Sequence, residues 1–183
     1  MLLSIKALFK RSHFLGCKEM AQKAKKIAIK YEAFEHILEI LAWEKKIAYT
    51  QIDVNFLDKE LDRIQMEEKE CLEQLEDLSI YQNVFFKVLI SGKKNALLRT
   101  EDKKEYLQKL LSNPLMQDVE KAKSHRAEIL FYRIKSICQY SFSDYEGFYQ
   151  SGKKILEVME SRPHLLQEDV LSLIHISEPT RPY

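Results

Sequence analysis

Apolar residues recur along this chain at intervals of three and four from Leu2 to Met159, with charged and polar residues between them. That period gathers them onto one side of a helix, and the strict alternation of a half-buried strand is absent. The clearest stretch runs from Ser124 to Pro163. Ile129, Leu130, Ile134, Ile137 and Cys138 share one side of a first helix, and Phe131, Tyr132 and Tyr140 widen it. A side that wide suits a helix packed on two neighbours. The polar break SDYEG follows, with Ser143 and Asp144 expected to accept orphan N–H groups at the next helix start. Phe148, Ile155, Leu156 and Met159 stripe the second helix, and Pro163 ends it. Gly147, Ser151 and Gly152 are small and are expected to let a neighbouring backbone approach closely.

The same period maps the rest of the chain. Residues 1–49 read as a helical hairpin plus a third helix. Leu2, Leu3, Ile5, Leu8 and Phe9 form the first helix, His13 to Gly16 the turn, and Met20, Ala21, Ala24, Ile27 and Ala28 the second. The third buries Phe34, Ile37, Leu38, Leu41, Ile47 and Ala48, with Trp43 nearby. Asp53 opens a long run to Ile90 in which Leu57, Leu61, Ile64, Cys71, Leu75, Leu78, Phe85 and Val88 follow four-three spacing, broken at Glu68. That approaches a heptad seam, and a helix of 38 residues would span roughly 57 Å. Ser91 to Asn95 (SGKKN) reads as a linker, 96–112 as a short helix capped at Thr100 to Asp102, and 116–162 as the closing hairpin with its lead-in. A further helix is expected to start over 164–170. The expected fold is all-α: stacked antiparallel hairpins in an α-solenoid around one long central helix.

The hairpin residues resemble a degenerate tetratricopeptide-type repeat. Laid on that motif from Glu128, the bulky position falls on Phe131, the next apolar position on Ile134 and the small residue opening the second helix on Gly147. Lys135 stands where the motif usually has glycine, and the closing proline comes about four residues late. The chain as a whole resembles a group of uncharacterised, typically longer bacterial helical-repeat proteins, a likeness that implies no activity. Tetratricopeptide-like geometry implies a groove for a partner peptide or helix, lined by Tyr132, Ser136 and Gln139.

The C-terminus belongs elsewhere. Leu171 to Tyr183 (LSLIHISEPTRPY) resembles the in-frame translation of a transposase-type sequencing adapter, unbroken from Leu171 to Arg181. Residues 171–183 are therefore excluded from fold reasoning as an assembly scar, and native sequence is expected to stop near Val170 in a longer protein.

Charge adds one feature. The net charge is +1, so no global field draws the chain to nucleic acid or membrane. Locally, Met1 to Glu32 holds eight Lys/Arg against two Glu, and Asp53 to Asp77 holds ten acids against three bases. The basic hairpin is expected to face the acidic run. No arginine cluster or aromatic interleaving accompanies the lysines, and no stretch nears the ~20 apolar residues of a membrane helix. Cys17, Cys71 and Cys138 are odd in number and far apart, which suits reduced, buried thiols in a cytoplasmic protein.

No constellation supports catalysis. His36 with Glu35 and Glu39 lacks a second histidine one turn away and a nearby cysteine, so metal-ligand spacing fails. Ser91 to Asn95 lacks the Walker pattern, and Glu67, Glu68 and Glu105 sit on polar helix faces. No catalytic, cofactor or metal residue is assigned. The expected role is a non-catalytic protein-interaction scaffold. The alternatives are self-association through a coiled coil at 53–90, or a helical regulatory domain of a larger enzyme or DNA-binding protein.

Overall fold

The computed structural model describes residues 1–50, 53–93 and 100–168, and within them the chain is all-α, with no strand. Seven α-helices are described: α1 Leu2–Lys10, α2 Phe14–Lys30, α3 Phe34–Ala48, α4 Val54–Lys93, α5 Thr100–Leu111, α6 His125–Ser141 and α7 Tyr145–Ser161. The chain divides into two compact units, residues 1–76 and residues from 77 onward, with the division inside α4.

In the first unit, α1 packs on α2 and α2 on α3. The α2 seam is made of small residues, with Cys17, Ala21, Ala24 and Ala28 buried, so α2 can lie close to both neighbours. Ile5 of α1 is fully buried, and the Cys17 thiol donates to its carbonyl at 3.6 Å. Three of the residues assigned to the apolar sides fall elsewhere. Leu3 and Ile27 are exposed, and Ile40 rather than Leu38 is buried in α3. The first turn is also shorter than the spacing implied. Helix α2 begins at Phe14, so Gly16 lies inside it, where an added Cβ would collide with the His13 ring.

The three short helix connections share one geometry. Each has three residues, Arg11-Ser12-His13, Tyr31-Glu32-Ala33 and Phe142-Ser143-Asp144. In each, the middle residue is left-handed, with φ of 56°, 49° and 62°. In each, the N–H of the third residue donates to a carbonyl five residues back, His13 to Leu8, Ala33 to Ala28 and Asp144 to Gln139, at 2.9 to 3.0 Å. That bond and the one from the middle residue satisfy carbonyls left open at the preceding helix end. None of the three left-handed residues is glycine, the residue that normally marks this conformation.

In the second unit, α6 and α7 form an antiparallel pair packed against each other. Ile129, Ile155 and Met159 close one part of their seam, while Phe131, Ile134 and Cys138 are buried on α6. Burial of each large apolar side chain contributes ~1.5–3 kcal/mol, more than the ~1 kcal/mol of a helix cap. The caps set the helix starts: Ser124 Oγ accepts from the Ala127 N–H and Asp144 Oδ1 from the Gly147 N–H. Asp144 alone caps α7, because Ser143 is spent on the left-handed turn.

The lead-in to α6 is not helical. Asn113 and Asp118 accept N–H bonds two residues on, from Leu115 and Glu120, and these local bonds turn the chain into two short 3-10 segments, Pro114–Met116 and Val119–Lys121. Pro163–Glu168 is likewise a 3-10 segment where an α-helix was expected from 164. Helix α4 runs through Ser91 to Lys93, three residues assigned to the linker. Its seam also shifts. Ile64, Cys71, Leu78 and Val88 are buried as the seam predicts, whereas Tyr81 and Val84 are buried off it and Phe85 is half-buried. Tyr81 carries that shift: its ring is buried and its hydroxyl donates to the Leu115 carbonyl at 2.8 Å. The rest of the expected linker, the start of the 96–112 helix, residues 169 and 170, and the tail at 171–183 lie outside the described residues.

Candidate functional site

The first unit contains an open groove of about 460 Å³ bordered by three helices. Helix α2 supplies Lys18, Gln22, Lys25, Lys26 and Ile29, at the three- and four-residue spacing of one helical face. Glu44, Ile47 and Ala48 come from the end of α3, and Phe56, Glu60 and Arg63 from the first turns of α4. The apolar lining is Ile29, Ile47, Ala48 and Phe56. Helix α2 can present this face because its small residues are used up in packing on α1 and α3.

A charged cluster joins the three helices at the groove wall. Lys25 Nζ donates to Glu44 Oε2 and to Glu67 Oε2, each at 2.8 Å. Arg63 Nη2 reaches Glu44 at 3.2 Å and Glu60 at 2.7 Å, and Nη1 bonds Glu67. The side chains of Lys25 and Glu44 are only 15% and 10% exposed, so this is a partly desolvated network and not a surface pair. Burial opposes the charge on Arg63, but its bonds to Glu60, Glu44 and Glu67 prevail and hold its pKa above the ordinary value. Burial likewise works against ionised Glu67, and Lys25 and then Arg63 outweigh it and lower the pKa. Arg63 and Glu67 therefore both stay charged near neutrality. The cluster ties α2, α3 and α4 together at the groove wall.

The expectation that the basic N-terminal hairpin faces the acidic run is met at Lys25 and Glu67. At the other flank Lys6 of α1 pairs instead with Glu39 of α3, at 3.2 Å. Lys18 is engaged differently, with Nζ 5.5 Å from the centre of the Phe56 ring. These groove residues escaped the sequence reading. The available signal was the face Lys18, Gln22, Lys25, Ile29, but single-chain spacing does not tell which face of α2 meets α4.

Tyr132, Ser136 and Gln139 do share one face of α6, and that face is turned to α7. Tyr132 is half-buried against the cluster of Ile129, Ile155 and Met159, and burial, then Glu128, raises its hydroxyl pKa. Ser136 is buried, and Gln139 Oε1 accepts from the Ser151 hydroxyl at 2.6 Å. Their side chains are thus engaged inside the hairpin. What α6 and α7 expose is a group of rings near their turn: Tyr140 stands 6.2 Å from Tyr145 and 5.5 Å from Phe148, with both tyrosines more than 60% exposed.

Among the described residues, no group of three or more His, Cys, Asp or Glu is placed to hold a metal ion, and no helix is long and apolar enough to cross a membrane. Comparison with protein-family models, with curated proteins and with solved structures finds no match.

Proposed function

We propose that this protein is a non-catalytic helical-repeat scaffold that captures a segment of a partner protein in the groove between α2, α3 and α4. The observation that carries the reading is the groove itself: an apolar lining of Ile29, Ile47, Ala48 and Phe56 beside charged side chains already braced by ion pairs. A braced site loses little side-chain freedom on binding, which favours capture. The recurrence of one turn geometry at Ser12, Glu32 and Ser143 supports a repeat-built, tetratricopeptide-like scaffold. Buried free thiols at Cys17, Cys71 and Cys138 fit a cytoplasmic setting. The groove of the first unit replaces the Tyr132–Ser136–Gln139 surface in this reading, because those side chains already serve the α6–α7 seam.

A photo-crosslinking side chain placed at Ile29, inside the groove, and separately at Leu72, outside it, tests this. Both positions are exposed. The same partner captured from position 29 only, and lost on Phe56→Asp, is the expected result. Equal capture from both positions rejects the groove.

One observation favours a second reading, self-association through α4. Met66 and Leu72 are 74% and 52% exposed on that helix, and Phe86 and Ile90 are also exposed. The seam residues Ile64, Cys71 and Leu78 are covered within the chain, so pairing would use these other positions. A concentration-independent monomer in sedimentation removes it.

A further inference from the structure

We infer, resting on the groove reading above, that the captured segment is an acidic amphipathic helix. Its carboxylates meet Lys18 and Lys26, and one bulky apolar side chain seats against Ile29, Ile47 and Phe56. Lys25 and Arg63 are spent on Glu44, Glu60 and Glu67, and those bonds also neutralise the acids of the wall. Lys18 and Lys26 carry no ion pair among the described residues, and both line the groove. Counting Glu67 behind the wall, four cations stand against three carboxylates, so the surplus is positive and sits on α2.

The spacing suits a helix. Lys18, Gln22 and Lys26 stand four residues apart, about 6 Å along α2 for each step. Carboxylates four residues apart on a ligand helix laid alongside repeat at the same distance. Lys18 is held at the groove lip by Phe56, which positions an ammonium beside the apolar seat. Exposed ion pairs contribute little each. The apolar contact therefore supplies most of the affinity, while charge chooses among partners and speeds encounter.

The test uses the full chain and three labelled synthetic helical peptides that share one leucine face and differ only in carrying Glu, Gln or Lys at the flanking positions. Binding is read by fluorescence anisotropy. The Glu peptide is expected to bind about tenfold tighter than the Gln peptide, with the Lys peptide weakest, and the Glu advantage is expected to shrink as salt rises. Lys18→Glu with Lys26→Glu is expected to invert the order with helical circular dichroism unchanged, since both side chains are exposed. Equal binding of the Glu and Gln peptides, both lost on Phe56→Asp, overturns the charge inference and leaves the groove standing. Binding that survives Phe56→Asp overturns the groove as well. No binding by any peptide overturns the inference. A dimer in sedimentation that disappears in the double lysine variant supports the acidic helix and overturns the separate partner protein, by making the acidic α4 of a second copy the occupant.

Discussion

Lys25 and Glu67 lie 42 residues apart in the chain and meet at 2.8 Å. Lys25 also holds Glu44, so one ammonium on α2 bridges α3 and α4. The pairing matters because Glu44 is almost wholly covered, and a covered carboxylate costs far more unpaired than an exposed one.

Lys25→Met is expected to lower stability by ~1–3 kcal/mol. Arg63 still reaches Glu44 at 3.2 Å, which keeps the loss below that of a wholly unpaired buried charge. Lys26→Met, one residue on and exposed, is expected to leave stability within ~0.5 kcal/mol. Urea unfolding of both variants measures the contrast. Equal effects would mean that the cluster contributes nothing.

The carboxylates give two opposite pH dependences. Glu67 has a native pKa below its ordinary 4.5. Its stabilisation is therefore fully present above pH 4.5 and is lost as pH falls through the lowered native value. Asp77 is buried and its pKa is raised by desolvation, although its Oδ2 accepts the Lys123 N–H at 3.0 Å. Its contribution is present below the ordinary 3.8 and is lost as pH rises through the raised value. Glu67→Gln is expected to flatten the acid limb of the stability profile. Asp77→Asn is expected to gain stability from acid towards neutral pH, relative to the parent chain. Chemical denaturation across pH 3 to 7 checks both, and parallel profiles would refute them.

Ser143→Gly is expected to stabilise the protein by ~0.5–1 kcal/mol. Its φ of 62° costs an L-residue roughly 1–2 kcal/mol, and the entropy of the added glycine takes back part of that gain. Ser12→Gly, at φ 56° and also exposed, is expected to act alike and additively. Thermal melts of the single and double variants decide, and destabilisation by both would contradict the shared turn geometry.

Burial pushes the Cys138 thiol up to about 12 and raises those of Cys17 and Cys71. All three are expected to resist a thiol reagent in the native protein at pH 8 and to react together on denaturation. Fast labelling of one thiol without denaturant would show a local opening at that site.

Gln139→Leu is expected to destabilise the α6–α7 hairpin by ~1–2 kcal/mol, because the buried Ser151 hydroxyl loses its acceptor. The size of that loss, read by urea unfolding, separates a seam residue from a free partner-binding surface, for which the change would be near zero.

That the described residues are all-α was legible in the spacing alone, because an amphipathic helix must repeat its apolar positions every three to four residues wherever it packs. Asp144 at a helix start and the uneven charge of residues 1–32 and 53–77 were equally local properties. The shared turn was hidden. Its signature lies in the backbone of Ser12, Glu32 and Ser143, and none of these residues advertises a positive φ. The groove was hidden for a different reason. Which face of α2 meets α4 depends on the rotation of one helix against another, set by small seam residues such as Ala24 and by partners such as Glu67 far along the chain. Tyr132, Ser136 and Gln139 show the same limit: their spacing placed them on one face of α6, and only packing decided that this face belongs to α7. Periodicity along a chain determines what each helix buries, and contacts between distant residues determine what is left open to bind.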